Sequence, residues 1–233
     1  SKSNVTGSSN VAVGTSALQG VAGNSHNQNT AIGYRAGYGI TTGGQNFFGG
    51  YQAANAVTTG TYNVVTGVQA GYSITTGNSN TITGYTAGYN LTTPTSNSFY
   101  GSGAAHGNTT GAYNIAIGES LKYNQTGNAN VAIGNSALRG VSGSSHAANT
   151  AIGHQAGYAN STGGNNFYGG MNSGFWNATG SSNVAVGYSA LFGASGQSHS
   201  NNTAIGYEAG KDITTGSNNL FAGYKAGENV TTG

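Results

Sequence analysis

The chain has 233 residues, of which only 4% are charged, and its formal net charge is +2. It holds 43 glycines, 15 tyrosines and no cysteine, which excludes disulfides and thiolate metal sites. So few basic residues cannot line a nucleic-acid backbone or an anionic lipid surface, and no apolar run approaches the ~20 residues that span a bilayer. Neither nucleic-acid binding nor membrane insertion by this segment is therefore expected.

One unit of 16 to 19 residues is repeated along the chain, and each copy opens with an asparagine. The thirteen asparagines are Asn10, Asn29, Asn46, Asn63, Asn80, Asn97, Asn114, Asn130, Asn149, Asn166, Asn183, Asn202 and Asn219. A glycine follows four residues later in all thirteen units, and an alanine seven residues later in eleven, with Leu121 and Ser173 as the exceptions. The repeat predicts a single domain over residues 1–233, about 13 coils long and a fragment of a longer fibre.

The unit that opens at Asn29 shows the expected elements in order. Residues 30–32 (Thr-Ala-Ile) are β-prone and predict a strand of about four residues, which Gly33 ends. A second short strand is expected around Ala36. Residues 41–43 (Thr-Thr-Gly) predict a turn in which the glycine supplies a positive φ.

A unit this short cannot bury a face alone, so it has to stack on its neighbours. The sequence therefore predicts an all-β fold, a parallel β-solenoid in which equivalent residues align about 4.8 Å apart. An amide that donates to one coil and accepts from the next suits the aligned asparagines. The predicted structural ladders begin with Asn29, Asn46, Asn63 and Asn80 and with Gly33, Gly50, Gly67 and Gly84.

The predicted interior is thin, because most strand triplets are Val/Thr-Ala-Ile/Val. Where the middle residue is large the next one is often small, as in Phe48-Gly49, Tyr168-Gly169 and Phe221-Ala222, and we interpret this as conserved interior volume. A core this small favours completion by other copies of the chain, so we expect an oligomer.

Residues 10–17 (Asn-Val-Ala-Val-Gly-Thr-Ser-Ala) and 130–137 (Asn-Val-Ala-Ile-Gly-Asn-Ser-Ala) resemble the head repeats of trimeric autotransporter adhesins. Residues 29–38 are similar to the repeat arrays of phage tail-fibre proteins, and the resemblance covers essentially the whole chain. It implies a homotrimer of left-handed β-rolls with an adhesive or shaft function. The usual adhesin repeat is shorter, and the extra residues here lie in the Thr-Thr-Gly segment.

Three histidines, His26, His146 and His199, stand three residues before a repeat asparagine, each in a 19-residue unit. Because lengthened loops usually point outward, we expect these side chains to be exposed or hydrogen-bonded. If they faced the axis of a trimer instead, they would form rings of three imidazoles able to hold a metal or an anion. We favour the first interpretation and expect no metal and no cofactor.

The four acidic residues form no pair suited to glycoside hydrolysis. Glu208 and Glu228 are expected to make surface charge pairs with Lys211 and Lys225. No Ser-His-acid arrangement and no phosphate-binding loop is present, so an enzyme is not expected. The eight Asn-x-Ser/Thr sequons follow from the composition of the repeat.

Tyrosines recur five and nine residues after the repeat asparagine and predict two aromatic columns. Tyr38, Tyr72, Tyr89 and Tyr158 form a candidate ligand surface, since exposed aromatic rings stack on sugars; packing on one another or across a chain interface is the other interpretation. Threonine arrays suggest ice binding, but adjacent threonines of an extended segment point in opposite directions.

The sequence therefore predicts a non-enzymatic structural or adhesive fibre segment at a cell surface or on a virion. A bacterial adhesin head and a phage tail-fibre shaft both fit. Its expected partners are its own copies, with a host glycan or surface protein as candidate ligand. A carbohydrate-binding module using the tyrosine columns is the alternative, and an ice-binding solenoid is a third.

Overall fold

The structure, a computed structural model, describes residues 5–232. It confirms the predicted all-β parallel β-solenoid: each repeat contributes one strand, and no helix occurs in this range. The strands have three residues rather than about four. They are β1 Val11–Val13, β2 Thr30–Ile32, β3 Phe47–Gly49, β4 Val64–Thr66, β5 Thr81–Thr83, β6 Ser98–Tyr100, β7 Ile115–Ile117, β8 Val131–Ile133, β9 Thr150–Ile152, β10 Phe167–Gly169, β11 Val184–Val186, β12 Thr203–Ile205 and β13 Leu220–Ala222.

The chain divides into two compact units, Ser1–Tyr113 with β1 to β6 and Asn114–Gly233 with β7 to β13. Within each unit successive strands pair in parallel at equivalent repeat positions, so that Ala12, Ala31 and Phe48 are aligned. A single repeat domain over the whole chain stays a prediction.

Within each unit, asparagines that are mostly buried tie each coil to its neighbour. The backbone N–H and Nδ2 of Asn46 donate to Oδ1 of Asn29 at 3.1 and 2.9 Å, and Nδ2 also donates to the carbonyl of Gly60 at 2.8 Å. Asn63 repeats all three bonds, with Asn46 as acceptor at 2.9 and 3.1 Å and Gly77 at 2.8 Å. Each amide therefore joins two coils and also holds the end of its own coil against the start.

The glycine four residues after the asparagine is required by both backbone angle and space. Gly50 has φ 132°, and a Cβ there would lie 2.5 Å from the carbonyl oxygen of Gly67. No other residue type combines this angle with this approach.

The second strand expected around Ala36 does not form in the described chain. The residues six and eight after each asparagine mostly have positive φ, as at Arg35 (52°) and Ala54 (47°), so the segment is a run of turns. Its N–H groups still bond to the next coil, for example from Gly37 to the carbonyl of Ala53 at 2.9 Å. The prediction failed because non-glycine residues adopt the left-handed region here.

The chain does bend at the Thr-Thr-Gly segment, but the prediction that its glycine supplies the positive φ is wrong. The residue before each asparagine has that angle, as at Gln45 (60°) and Tyr62 (58°). Gly43 is needed for space instead, since a Cβ there would lie 2.5 Å from the carbonyl oxygen of Gly60.

We had interpreted the large-small pairs within a strand as sharing interior volume, and this is wrong. The interior volume is shared between successive coils. Gly49 lies on the outer side of its strand, where a Cβ would approach the ring of Phe47 at 3.3 Å. Inside, a Cβ at Gly37 would lie 2.6 Å from Phe48 of the following coil and 2.9 Å from Leu18 of the preceding one. The glycine of the middle coil therefore leaves space that a leucine of the preceding coil and an aromatic ring of the following coil fill.

The same three-coil arrangement, here named the Leu-Gly-aromatic module, recurs twice in the second unit. Gly157 lies between Leu138 and Tyr168, at 2.9 and 2.6 Å from a Cβ built on it. Gly210 lies between Leu191 and Phe221 at 3.0 and 2.6 Å. Each module begins with a 19-residue coil, so the insertions and the large interior rings belong to one packing pattern.

The two exceptions to the alanine pattern keep the interior filled. In the 16-residue coil, Ser120 is buried and donates to the carbonyl of Ala132 at 3.0 Å, while Leu121 has the positive φ of Leu138. This coil is therefore one residue shorter than the usual 17, and the difference lies between Gly118 and Ser120. Ser173 is also buried, and its hydroxyl donates to a carbonyl of its own coil at 2.9 Å.

Candidate functional site

In each of the two units the outward side chains of the strands form an apolar surface, here named the outer strand face. It consists of the residues one and three positions after each repeat asparagine, and none of them is Lys, Arg, Asp or Glu. Its exposed large apolar members are Val11, Val13, Ile32, Phe47, Val64, Tyr100, Ile115, Ile117, Ile152, Phe167, Val184, Val186, Ile205 and Leu220. Parallel sheets usually have both faces covered, so this face has the composition of a contact surface.

The first aromatic column, five residues after the asparagine, flanks the outer strand face. Tyr34 and Tyr51 stack with their ring centroids 5.3 Å apart. Tyr207 stacks between Tyr188 and Tyr224, at 5.2 and 5.4 Å. These rings are exposed, and Tyr224 is 74% exposed.

The second aromatic column, nine residues after the asparagine, is half-buried. In the first unit Tyr89 stacks between Tyr72 and His106, with centroids 5.1 and 5.4 Å away. The column is interrupted between Tyr38 and Tyr72, where the equivalent residue is Asn55.

In the second unit the second aromatic column includes a cation. The guanidinium of Arg139 lies 4.7 Å from the ring centre of Tyr123 and 5.1 Å from that of Tyr158, and its Nη1 donates to the Tyr158 hydroxyl at 3.0 Å. Tyr158 stacks on Phe175 at 4.7 Å, and Phe175 on Phe192 at 5.1 Å. The sequence did not predict Arg139 as part of the column.

The four tyrosines proposed as a ligand surface therefore differ in what they offer. Tyr72, Tyr89 and Tyr158 each have a ring face against a neighbouring ring, and Tyr89 has both faces covered. A ring that is stacked on both faces meets solvent only with its edges, whereas sugars bind best to an open face. Tyr38 has no aromatic neighbour in its column and lies 4.9 Å from the guanidinium of Arg35.

The three histidines of the 19-residue coils are buried, so the expectation that they point outward is wrong, but they are hydrogen-bonded as the same expectation allowed. The Nδ1 atoms of His26, His146 and His199 lie 3.4, 3.5 and 3.5 Å from the Oδ1 atoms of Asn10, Asn130 and Asn183. His26 and His146 have no exposed surface and His199 has 1%. Each imidazole is enclosed by its own chain, and a ring of three around a shared axis does not fit this placement. Among residues 5–232 no three His, Cys, Asp or Glu side chains cluster in a way that would hold a metal ion.

These histidines replace the glycine of the Thr-Thr-Gly segment. The repeat amide that bonds to Gly60 from Asn46 bonds instead to the carbonyl of His146 from Asn130, at 2.9 Å. The two inserted residues therefore allow a side chain to enter the interior, where most other coils have a glycine and one has Pro94.

Burial lowers the pKa of His146 and His199 from 6.5 to about 4, and backbone groups of Leu138 and Leu191 oppose this only in part. Burial also lowers the pKa of His26. The imidazoles of His146 and His199 are consequently neutral at pH 7.

Glu119, Glu208 and Glu228 make ion pairs with lysines, and Glu208 is buried at 7% exposure instead of lying on the surface. Glu208 contacts Lys211 at 3.0 Å and Lys225 at 3.2 Å, and Lys225 contacts Glu228 at 2.9 Å, as the sequence predicted. The hydrogen bond from Lys211 is the main reason that the pKa of Glu208 is lowered. Ionised carboxylates paired in this way are poorly suited to general acid catalysis.

The two threonines of a pair differ in their contacts. Thr41 and Thr58 donate to the carbonyls of Thr58 and Thr75 at 3.0 and 3.1 Å, so the first hydroxyl of each pair links coils. The second ones, such as Thr42 and Thr59, are exposed.

Interior asparagines are a feature that the sequence reasoning missed. Asn177 is buried and donates to the hydroxyl of Tyr168 at 3.0 Å, and Asn108 is buried without a hydrogen-bond partner for its amide among the described residues. These asparagines align with Ile40, Ile74 and Leu91 in other coils. That alignment with apolar residues was the signal in the sequence that could have predicted their burial. Four sequon asparagines are buried in this way, namely Asn108, Asn124, Asn160 and Asn177.

Comparison of the chain with known protein families, curated proteins and solved structures finds no match. The described residues also contain no apolar helix long enough to cross a membrane.

Proposed function

We propose that this chain is a non-enzymatic structural and adhesive segment of an extracellular fibre, either the head of a cell-surface adhesin or the shaft of a phage tail fibre. It acts by multivalent display, in which weak contacts repeat along the solenoid and add through avidity. The outer strand face is the observation that carries the proposal.

The outer strand face is covered by other copies of this chain. Ile32 and Val64 are 46% and 43% exposed although both lie in the middle of the first unit's strand array. The face has the repeat spacing of the coils and lacks charge, so a second copy offers a surface of matching period and chemistry. Three-fold association follows from the resemblance to trimeric β-rolls.

An extracellular or virion location agrees with the surface chemistry. Hydroxyl and amide groups are abundant and charges are few, which suits an exposed and inert fibre better than a crowded cytosol.

The two alternative functions have less support. A carbohydrate-binding module that uses the whole tyrosine columns needs open ring faces, and the stacked rings cover one another. Ice binding needs regular arrays of free hydroxyls, and half of the paired threonines are engaged between coils.

Charge substitutions on the outer strand face test the proposal. Ile32→Lys with Val64→Lys places two cations in the proposed contact and should lower the native mass in analytical ultracentrifugation to that of one chain. Thr42→Lys with Thr76→Lys is the matched control, because these exposed residues lie in the same two coils. A native mass unchanged by the first pair would contradict the assignment of this face.

A further inference from the structure

We infer that the interruption of the second aromatic column between Tyr38 and Tyr72 binds one saccharide ring. We name this place the Asn55 notch, after the half-buried residue at its base. The inference rests on the proposed display function and adds to it a site and a ligand class.

The hydrogen bonds between coils define which residues line the Asn55 notch. The N–H of Gly39 donates to the carbonyl of Asn55 at 2.9 Å, and that of Ala56 donates to the carbonyl of Tyr72 at 3.0 Å. Tyr38, Asn55 and Tyr72 therefore occupy the same position in three successive coils. Two coil steps separate the tyrosines by roughly 10 Å, with a short side chain between them.

The second unit shows what fits such a gap. Between Tyr123 and Tyr158 the guanidinium of Arg139 lies 4.7 and 5.1 Å from the two ring centres. One flat group therefore fills the space between two rings, and Asn55 is too short to do the same. The two gaps differ by one position, because Tyr123 follows the missing residue of the 16-residue coil and aligns with Gly140. Both have one coil between two tyrosine rings, and at the Asn55 notch that coil supplies no flat group.

The groups at the Asn55 notch suit a sugar. Tyr72 has one ring face on Tyr89 and leaves the other toward the Asn55 coil, where the C–H face of a pyranose can stack. Oδ1 of Asn55 is buried and has no hydrogen-bond partner in the described part of the chain, so the contact with the sugar rests on the ring face of Tyr72 and not on this oxygen.

A neutral ligand is favoured over a cationic one. Residues 5–113 contain no Asp or Glu, and the guanidinium of Arg35 lies 4.9 Å from the Tyr38 ring. A partner's arginine side chain would meet a like charge there with no carboxylate to compensate.

The test closes the Asn55 notch with a residue that its own column already uses. Asn55→Tyr should join Tyr38 to Tyr72 in a continuous stack and lower binding to an array of immobilised oligosaccharides by about tenfold or more. Ser102→Tyr is the matched control, because it adds a tyrosine at an exposed first-column position and leaves the notch open. It should bind like the unmodified chain.

Opening a second notch gives the converse result. Arg139→Asn removes the flat group between Tyr123 and Tyr158, so calorimetry with the best oligosaccharide from the array should rise from one to two sites per chain. No oligosaccharide bound above background, or equal binding by the Asn55→Tyr variant, would overturn the inference. So would capture of an arginine-rich peptide in place of a saccharide.

The Asn55 notch lies outside the outer strand face, so the two proposals can fail separately. A monomeric chain that still loses oligosaccharide binding with Asn55→Tyr would remove the self-association proposal alone. An oligomer of unchanged mass that binds no oligosaccharide would remove the notch alone.

Discussion

Single asparagine side chains connect the coils. From Asn29 to Asn202 the ladder amides are buried, and at Asn63 the amide oxygen accepts two hydrogen bonds while the nitrogen donates two. Aspartate and leucine have volumes similar to that of asparagine, but neither can replace it in this arrangement. An aspartate side chain has no N–H donor, and a leucine side chain has no polar atom.

Asn63→Asp should destabilise the first unit by about 3 kcal/mol or more. The carboxylate loses both side-chain donations and lies against the oxygens of Asn46 and Gly77, which makes it a buried charge without a partner. The measurement is the urea midpoint, with exposed Asn229→Asp as control at a cost within about 0.5 kcal/mol. Equal midpoints for the two variants would show that the ladder contributes little.

The buried histidines make the stability of the second unit depend on pH. The pKa values of His146 and His199 are about 4 in the folded chain, against 6.5 for a histidine in the unfolded chain. Between these values the unfolded chain binds more protons than the folded one, so the free energy of unfolding falls as the pH drops through this window. The loss is complete near pH 4 and is on the order of 3 kcal/mol per histidine.

His146→Gln with His199→Gln should therefore flatten the dependence of unfolding free energy on pH between 6.5 and 4. The control is His154→Gln, because this residue is exposed and should leave the slope as it is. Denaturant titrations at several pH values supply the free energies. A slope that survives the double substitution would mean that other groups cause it.

The individual coil could be predicted from the sequence only in part. The strand after Asn29 and its apolar middle residue follow from β-branched residues bounded by Asn and Gly, and the structure has them. The turns after Gly33 could not be predicted, because Arg35 and Gln52 adopt positive φ under contacts from adjacent coils. The inward orientation of the His146 side chain could not be predicted either, because it depends on the interior space between the neighbouring coils.

The Leu-Gly-aromatic module predicts which side chains contribute most to a coil. Leu138→Ala would leave a cavity beside Gly157 and Tyr168 and should cost about 3 kcal/mol. Val141→Ala in the same coil is 54% exposed at the inserted loop and should cost less than about 0.5 kcal/mol. Thermal or urea unfolding distinguishes them, and similar losses for both would argue against the module.

For the molecule as a whole, the repeat predicted the solenoid but not how its surfaces are used. Stacking follows from thirteen similar units, each too short to bury a face. The Asn55 notch depends on which position of each coil faces outward, and only the register between coils defines it. The apolar outer strand face has the same origin, since Ile32 and Ala31 differ in burial although the sequence makes both apolar.

The central claim is that copies of this chain associate through the outer strand face, and the native mass in solution tests it most directly. Sedimentation equilibrium at micromolar concentration should give about three times the 23.1 kDa of one chain. A folded species of 23.1 kDa that keeps its β-sheet signal on dilution would contradict the claim.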